Sequence, residues 1–397
     1  VTLLVKLLDA EEGGVGQHYG VNAANALEAA KVQKEMASAI WAMTINNVEN
    51  QLAIAKAGGI PSLISLLDGH PEVHRDVAGA LWSLAANPEN QRTIANAGGI
   101  APLVNLLSGD GGEEAQEEAA GALYALADHA KNRNAITESG GIGPLVVLLG
   151  CDNARARQHA EGALVRLSIE NANRVLIIKQ LVSMLHDKGS AAQEQAAAAL
   201  ANLARDSTDN RTSIVDAGGI VPLLALLESD SAKAKENSVS AITQLANKSP
   251  ANQSAIAKAG GIVPLVTVLN AAANNMKEAA AADLSSLCAA AITQLCKHNP
   301  ANQAAIVEAG AIQSLVSMLG SPNPVLNANA AGALSALSRD SADNQSAVAR
   351  TGAIAPLCAL VREGSPDTKE QSASARWSLS PDNAPNKATI AKLGGIE

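Results

Sequence analysis

The chain has 397 residues, 47% hydrophobic and 17% charged, with a net charge of −9, so it holds ample apolar surface for a packed core and lacks the composition of a disordered chain. That charge has the wrong sign for neutralising phosphates, and with 3 Trp, 2 Tyr and no Phe the chain is too poor in aromatics to stack bases, which argues against a nucleic-acid partner. Cys151, Cys288, Cys296 and Cys358 show no paired spacing and suit free thiols in a reducing compartment. An intracellular location is therefore expected, cytoplasmic first and nuclear second. No apolar run approaches the roughly 20 residues of a membrane span, and no secretory signal is visible.

The first apolar stretch, Val1 to Leu8, has the spacing of a helix fragment. Glu11 to Gly20 carries four glycines and is expected to be a loop; its Gly14-x-Gly16 has no strand before it and the wrong spacing for a phosphate cradle. A helix is predicted over 32–43. From Asn50 onward one pattern recurs, anchored on an Asn followed by a polar residue at Asn50, Asn90, Asn132, Asn173, Asn210, Asn252, Asn302, Asn344 and Asn386, and most intervals are 40 or 42 residues. A period of this length with helical patterning inside it indicates an α-solenoid.

The stretch from Asn90 shows what each repeat contains. A short first helix opens at a capping Asn, Ser or Asp and carries one core Ile, here Ile94. Gly98-Gly99 ends it with a left-handed turn. A second helix has Pro in its first turn, as at Pro61, Pro102, Pro144, Pro222, Pro264 and Pro356, where a missing N–H costs nothing. A longer third helix is centred on Ala120-Gly121-Ala122-Leu123, with a further Leu three positions on. On this reading the triplets at Asn210, Asn252 and Asn344 that resemble glycosylation acceptors are repeat anchors, and structural.

Two repeats depart from the pattern. After Asn173 the Gly-Gly turn is missing and Ile177 runs directly into Ile178, so the first and second helices are expected to fuse, or the first to melt, with a change of superhelix direction near 173–186. The repeat from Asn252 has a surplus of eight residues near Ala282 to Ala289, expected to lengthen the third helix by about two turns. Eight full repeats run from Asn50 to the residue before Asn386, with partial ones at 1–49 and 386–397; neither end reads as a polar cap, so continuation in both directions is expected.

The Asn-x-x-x-Ile, Gly-Gly-Ile-x-Pro-Leu and Ala-Gly-Ala-Leu elements together resemble the armadillo-repeat family over nearly the whole chain. The resemblance implies an all-α, right-handed superhelical solenoid of about nine three-helix repeats, one domain over 1–397, with the third helices lining a concave groove for partner proteins. Relative to the Ala of the third helix's Ala-Leu or Ala-Ile pair (Ala80 in the second repeat), the residue before and the third residue after share a face. Importin-α-like members carry Trp and Asn there. Here the earlier position reads Ser38, Gly79, Gly121, Gly162, Ala198, Ser240, Ala290, Gly332 and Ser374, and the later one reads Ala42, Ser83, Ala125, Arg166, Asn202, Gln244, Gln294, Ala336 and Ser378. That ladder is absent, which leaves nuclear-import reception a weak alternative. What remains is a small-residue floor with Ser83 and a polar row of Arg166, Asn202, Gln244 and Gln294 suited to a peptide backbone.

Four of the rare aromatics share one repeat position, two after the reference Ala: Trp41, Trp82, Tyr124 and Trp377. They either pack on the neighbouring helix or form a strip that anchors a partner's apolar residues. The only ligand-like histidine spacing, His70 and His74, has Pro71 where a zinc protease needs Glu, and both are expected to be solvated turn residues. Cys288 and Cys296 read as core thiols. No metal, cofactor, small-molecule substrate or catalytic constellation is expected. The chain reads as an interaction scaffold or adaptor binding an extended or helical partner segment; the alternatives are the recognition arm of a multidomain ubiquitin ligase or a structural subunit of a cytoskeletal or ciliary assembly.

Overall fold

The computed structural model describes Val5 and residues 23–109, 111–186, 190–205 and 207–393, with side-chain surroundings at Val5 and from residue 28 onward apart from position 190. The expected loop Glu11 to Gly20 and all of the fragment at 1–8 except Val5 lie outside the described residues. Among the described residues every regular element is helical, and the chain divides into two compact units, Val1–Leu181 and Val182–Glu397. Within each unit the third helices pack side by side in series: Ala23–Thr44, His74–Ala85, Gly112–Leu126 and Ala154–Leu167 in the first; Ser190–Arg205, Ala232–Ala246, Ala279–Cys296, Pro324–Ser338 and Pro366–Ser378 in the second. The result is an all-α solenoid.

Each repeat forms for local reasons. The first helices (for example Pro88–Asn96 and Pro300–Glu308) are held at their start by a side-chain cap, except Ala130–Glu138, and bury one aliphatic residue; Ile54, Ile94, Ile136, Ile214, Ile256, Ile306 and Val348 are all fully buried. Each ends on a left-handed glycine. Gly58, Gly98, Gly140, Gly218, Gly260, Gly310 and Gly352 have φ between 77° and 87°, where a Cβ is costly. The second glycine meets a different constraint: a Cβ on Gly99 would lie 2.9 Å from Ile94 Cγ2 and 2.9 Å from Ile64 Cδ1, because the end of the first helix meets the previous repeat's second helix there, although the position takes a buried Ala at Ala311 and Ala353.

The anchor asparagine is not the cap. The capping oxygen comes from three residues earlier, Asn47, Ser207, Ser249, Asn299, Ser341 or Asn383, and accepts the anchor's own N–H. The anchor's side chain turns inward. Asn302 Nδ2 donates to Leu295 O at 2.9 Å, in the last turn of the preceding third helix, and to Gln253 O at 3.2 Å, one repeat back. Asn90 makes the same pair with Leu84 O and Gln51 O, and Asn386 with Leu379 O and Gln345 O. The following residue adds a second link: Gln303 Nε2 donates to Cys296 O and Ala336 O, while Arg133 and Arg211 use Nη1 on Ala127 O and Ala204 O. Helix ends leave carbonyls without intrahelical donors, and these amides supply them. Asn210, Asn252 and Asn344 are buried with Nδ2 engaged in this way, so the triplets they begin are structural.

The two irregular repeats take different courses. After Asn173 the first and second helices fuse into one, Asn171–Met184, with Ile177 and Ile178 both buried. The staple is lost with the turn: Asn173 is buried and its Nδ2 has no partner. In the repeat from Asn252 the surplus is shared, not placed wholly in the third helix as expected. The second helix grows to 12 residues, Ile262–Ala273, against 7 in Ile100–Leu106, and the third to 18, Ala279–Cys296, against 15 in Ala232–Ala246. Extending both antiparallel helices keeps their apolar faces against each other, whereas two extra turns on one would project unpacked. Ala279–Cys296 is also long and apolar enough to cross a membrane, with mean hydropathy 1.3, and it packs between the third helices on either side.

Replacing Asn302 by Ala removes donors to two main-chain carbonyls in a buried site, and an unmet buried hydrogen bond costs about 1–3 kcal/mol. Urea denaturation is expected to show Asn302→Ala destabilised by about 2 kcal/mol, whereas Asn173→Ala, whose amide donates to nothing, loses far less.

Candidate functional site

In unit 1 the aromatic row and the small-residue row prove to be two halves of one contact. A Cβ on Gly79 would lie 2.6 Å from the Trp41 ring, on Gly121 2.8 Å from the Trp82 ring, and on Gly162 2.5 Å from the Tyr124 ring. Each ring from one third helix is therefore seated on the glycine of the next. Glycine inside a helix costs about 1 kcal/mol relative to Ala, and three at the same repeat position are explained by these sockets. The small residues are thus covered, not an open floor. The rings remain half-exposed on their other side.

One turn before each socket glycine stands a polar residue: Asp76, Glu118 and His159. His159 is wedged between two rings, 4.6 Å from Trp82 edge-on and 6.4 Å from Tyr124 in a stacked arrangement, with Nδ1 3.2 Å from Glu117 O. Three guanidinium groups border the strip. Arg75 lies 5.8 Å over Trp41, Arg166 lies 3.6 Å over Tyr124 and pairs with Asp128, and Arg155 Nη1 is 2.9 Å from Glu117 Oε1. Trp41, Trp82 and Ser83 line one open pocket of about 590 Å³ together with Ile45, Val48 and Arg155. Ile45 and Val48 are 52% and 60% exposed.

In unit 2 the ring position is Ala201, then Thr243, Thr293 and Ser335, and Trp377 last. Thr243 and Thr293 turn their hydroxyls back onto Val239 O and Ala289 O, and Ser335 bonds Ser374 and Ser378 of the next repeat at 2.9 Å. Trp377 stands 63% exposed, with Arg339 5.8 Å over its ring. Asn202 is exposed and accepts from Arg205 Nη2 at 3.2 Å; Gln244 and Gln294 are half-buried. Gln294 lines a pocket of about 480 Å³ with Thr293, Asn329 and Gln371, and its main-chain carbonyl accepts from Gln253 Nε2 at 2.8 Å.

The family model of the Armadillo/beta-catenin-like repeat matches residues 47–86, 87–128, 207–247 and 299–339. Those four segments are similar to armadillo repeats. The two repeats with altered spacing lie outside the matched segments. Among solved structures, the crystal structure of an engineered protein is similar at 27% identity and a TM-score of 0.69, covering 100% of this chain and 92% of that one. No curated protein matches.

The solenoid of unit 1 also buries charge. Glu118 is held up to about 7, first by burial, then by the neighbouring Glu117 and, more weakly, by Asp76, against the opposing pull of Arg155 and Arg75. Asp76 Oδ2 and Glu118 Oε2 are both buried without a partner. His74 departs from expectation: it is buried at the start of its helix, where loss of hydration lowers its pKa, while His70 is exposed and caps the turn through Nδ1. Burial likewise pushes the Cys288 thiol up to about 12 and the Cys296 thiol higher still, which disfavours the thiolates that nucleophilic chemistry needs. Among the described residues no three His, Cys, Asp or Glu side chains converge to hold a metal.

Sequence reasoning found the rings but missed Ile45, Val48, Arg155 and His159. The row Glu35, Asp76, Glu118, His159 does recur at the repeat period and was available as a signal. Pocket membership was not, because Arg155 belongs two repeats after Trp82.

Two measurements check this geometry. Gly162→Ala improves helix propensity by up to about 1 kcal/mol but forces a Cβ into the Tyr124 ring, and overpacking costs about 1–3 kcal/mol. The substitution is expected to destabilise the wild type and to stabilise the Tyr124→Ala background, a sign change that a double-mutant cycle by urea denaturation reads directly. For Glu118 the folded pKa lies above its ordinary value of 4.5, so its contribution is fully present below pH 4.5 and is lost as pH rises through about 7. Glu118→Gln is expected to be on the order of 3 kcal/mol more favourable, relative to wild type, at pH 8 than at pH 4; equal differences at the two pH values would contradict the shift.

Proposed function

We propose that this armadillo scaffold binds partner proteins along its third helices and has no catalytic step of its own. In unit 1, Trp41, Trp82 and Tyr124 act as apolar anchors, with Ser83 at the pocket edge and Arg166 bordering Tyr124. In unit 2, Asn202, Gln244 and Gln294 offer hydrogen bonds to a partner's main chain. Repeat solenoids commonly present such extended binding surfaces.

The observation that carries this reading is the Trp41–Trp82 pocket. Each ring is fixed by a glycine socket on one side and open on the other, and exposed Ile45 and Val48 extend the apolar surface around it. Rings locked in this way lose little further side-chain entropy on binding, which is what makes aromatic residues effective anchors.

The test is affinity capture with the immobilised chain, followed by binding titration of each captured protein. Trp82→Ala is expected to weaken binding of a groove partner by at least about tenfold, or 1.4 kcal/mol, along with a lower melting temperature from the emptied Gly121 socket. A large loss of melting temperature with unchanged affinity would assign Trp82 to packing alone.

A further inference from the structure

We propose that the Trp41–Trp82 pocket selects partner segments in which an aliphatic or aromatic side chain stands next to a carboxylate, with Arg155 receiving the carboxylate. This rests on the partner-binding reading above and specifies the chemistry of the segment. The pocket walls are apolar where they are deepest in exposed hydrocarbon: the two indole rings, Ile45, Val48 and Ala86. Such a surface takes an apolar side chain. Among the described residues Arg155 is the one charged side chain lining it.

The state of that arginine gives the inference its sign. Its side chain is 65% exposed and pairs through Nη1 with Glu117 Oε1 at 2.9 Å. A guanidinium has five N–H donors in a planar fork, so donors remain for a second oxygen pair. The acidic groups nearby are differently placed. Asp76, Glu117 and Glu118 are 4–9% exposed, turned into the helix packing, and none of them lines the pocket. The cationic side of this cluster therefore faces outward.

A positively charged partner residue meets the opposite situation. Arg75 lies 5.8 Å over the Trp41 ring and Arg155 stands in the pocket, so an incoming ammonium or guanidinium group would meet like charge beside it. The chain's net charge of −9 would draw basic proteins to it in general. The pocket's own lining selects against them at this position.

The chain has three tryptophans, so a Trp377→Tyr background leaves Trp41 and Trp82, both in the pocket, as the only indole emitters. Short synthetic peptides sharing one Leu/Phe pattern, with Asp, Asn or Lys at the intervening positions, are titrated into this protein while indole emission is followed. The Asp peptide is expected to bind about tenfold more tightly than the Asn peptide, as a charge-assisted contact to arginine allows, and the Lys peptide most weakly.

Arg155→Gln is expected to bring the Asp peptide to the level of the Asn peptide and leave the latter unchanged. Glu117→Gln, which removes the negative charge beside Arg155, is expected to tighten the Asp peptide, an effect that a merely structural ion pair would not give. Equal binding of all three peptides, abolished by Trp82→Ala, overturns the carboxylate selection and leaves the aromatic anchor standing. Tightest binding of the Lys peptide overturns the selection as well. No response to any peptide overturns this pocket's assignment, while the capture experiment continues to test the wider reading independently.

Discussion

An α-helix ends with carbonyl groups that no later turn can satisfy, and in a repeat solenoid those ends are buried against the next unit. The fold depends on meeting them. Here a buried asparagine amide does so from the third residue of the following helix, reaching back to the last turn of the preceding third helix and, in several repeats, across to the previous repeat. The same side chain that completes one helix therefore sets the position of its neighbour. Gln, or Arg at Arg133 and Arg211, adds a second bond to the adjacent carbonyl. Because the donors are amides or guanidinium groups in sites with little water, losing one leaves acceptors that nothing else can reach.

With repeats placed in this way, successive third helices come close enough for a large ring on one to rest on the other only where the second has no side chain. Gly79, Gly121 and Gly162 are the places where this happens in unit 1. The contact immobilises Trp41, Trp82 and Tyr124 without enclosing them, so packing and recognition are carried by opposite faces of the same rings. Where the later repeats substitute Thr or Ser, the hydroxyls satisfy themselves on their own helix or on the next serine, and the surface becomes polar. One repeat scaffold thus presents two kinds of surface.

The irregular repeats show how much freedom the scheme leaves. Deleting the Gly-Gly turn is accommodated by continuing one helix through the gap, at the expense of an orphaned Asn173 amide. Insertion is accommodated by lengthening two antiparallel helices together, since added residues on both can bury one another. Several turns between repeats also hold non-glycine residues in the left-handed region, Asn46, Lys248, His298, Asp340 and Asp382 at φ of 53–58°, so local backbone cost is accepted where the next cap must be placed.

Much of this was legible in the amino-acid sequence. The repeat period, the single aliphatic residue in each first helix, the left-handed glycine and the loss of the turn at Ile177-Ile178 follow from spacing, because helix length, turn geometry and core pattern are local properties of the chain; that the helices there fuse and the first does not melt came from the structure. The aromatic row was legible too. What the asparagine does was not: its spacing marks an anchor, but the acceptors of its side chain lie six or seven residues back and a full repeat away. The purpose of the glycines in the third helices was hidden for the same reason, since the ring that requires each one comes from a different repeat. The burial of His74 and Glu118, and the arrival of Arg155 beside Trp82 across two repeats, were decided by tertiary structure alone, because hydration and the approach of distant side chains depend on how neighbouring repeats stack and not on the order of residues within any one of them.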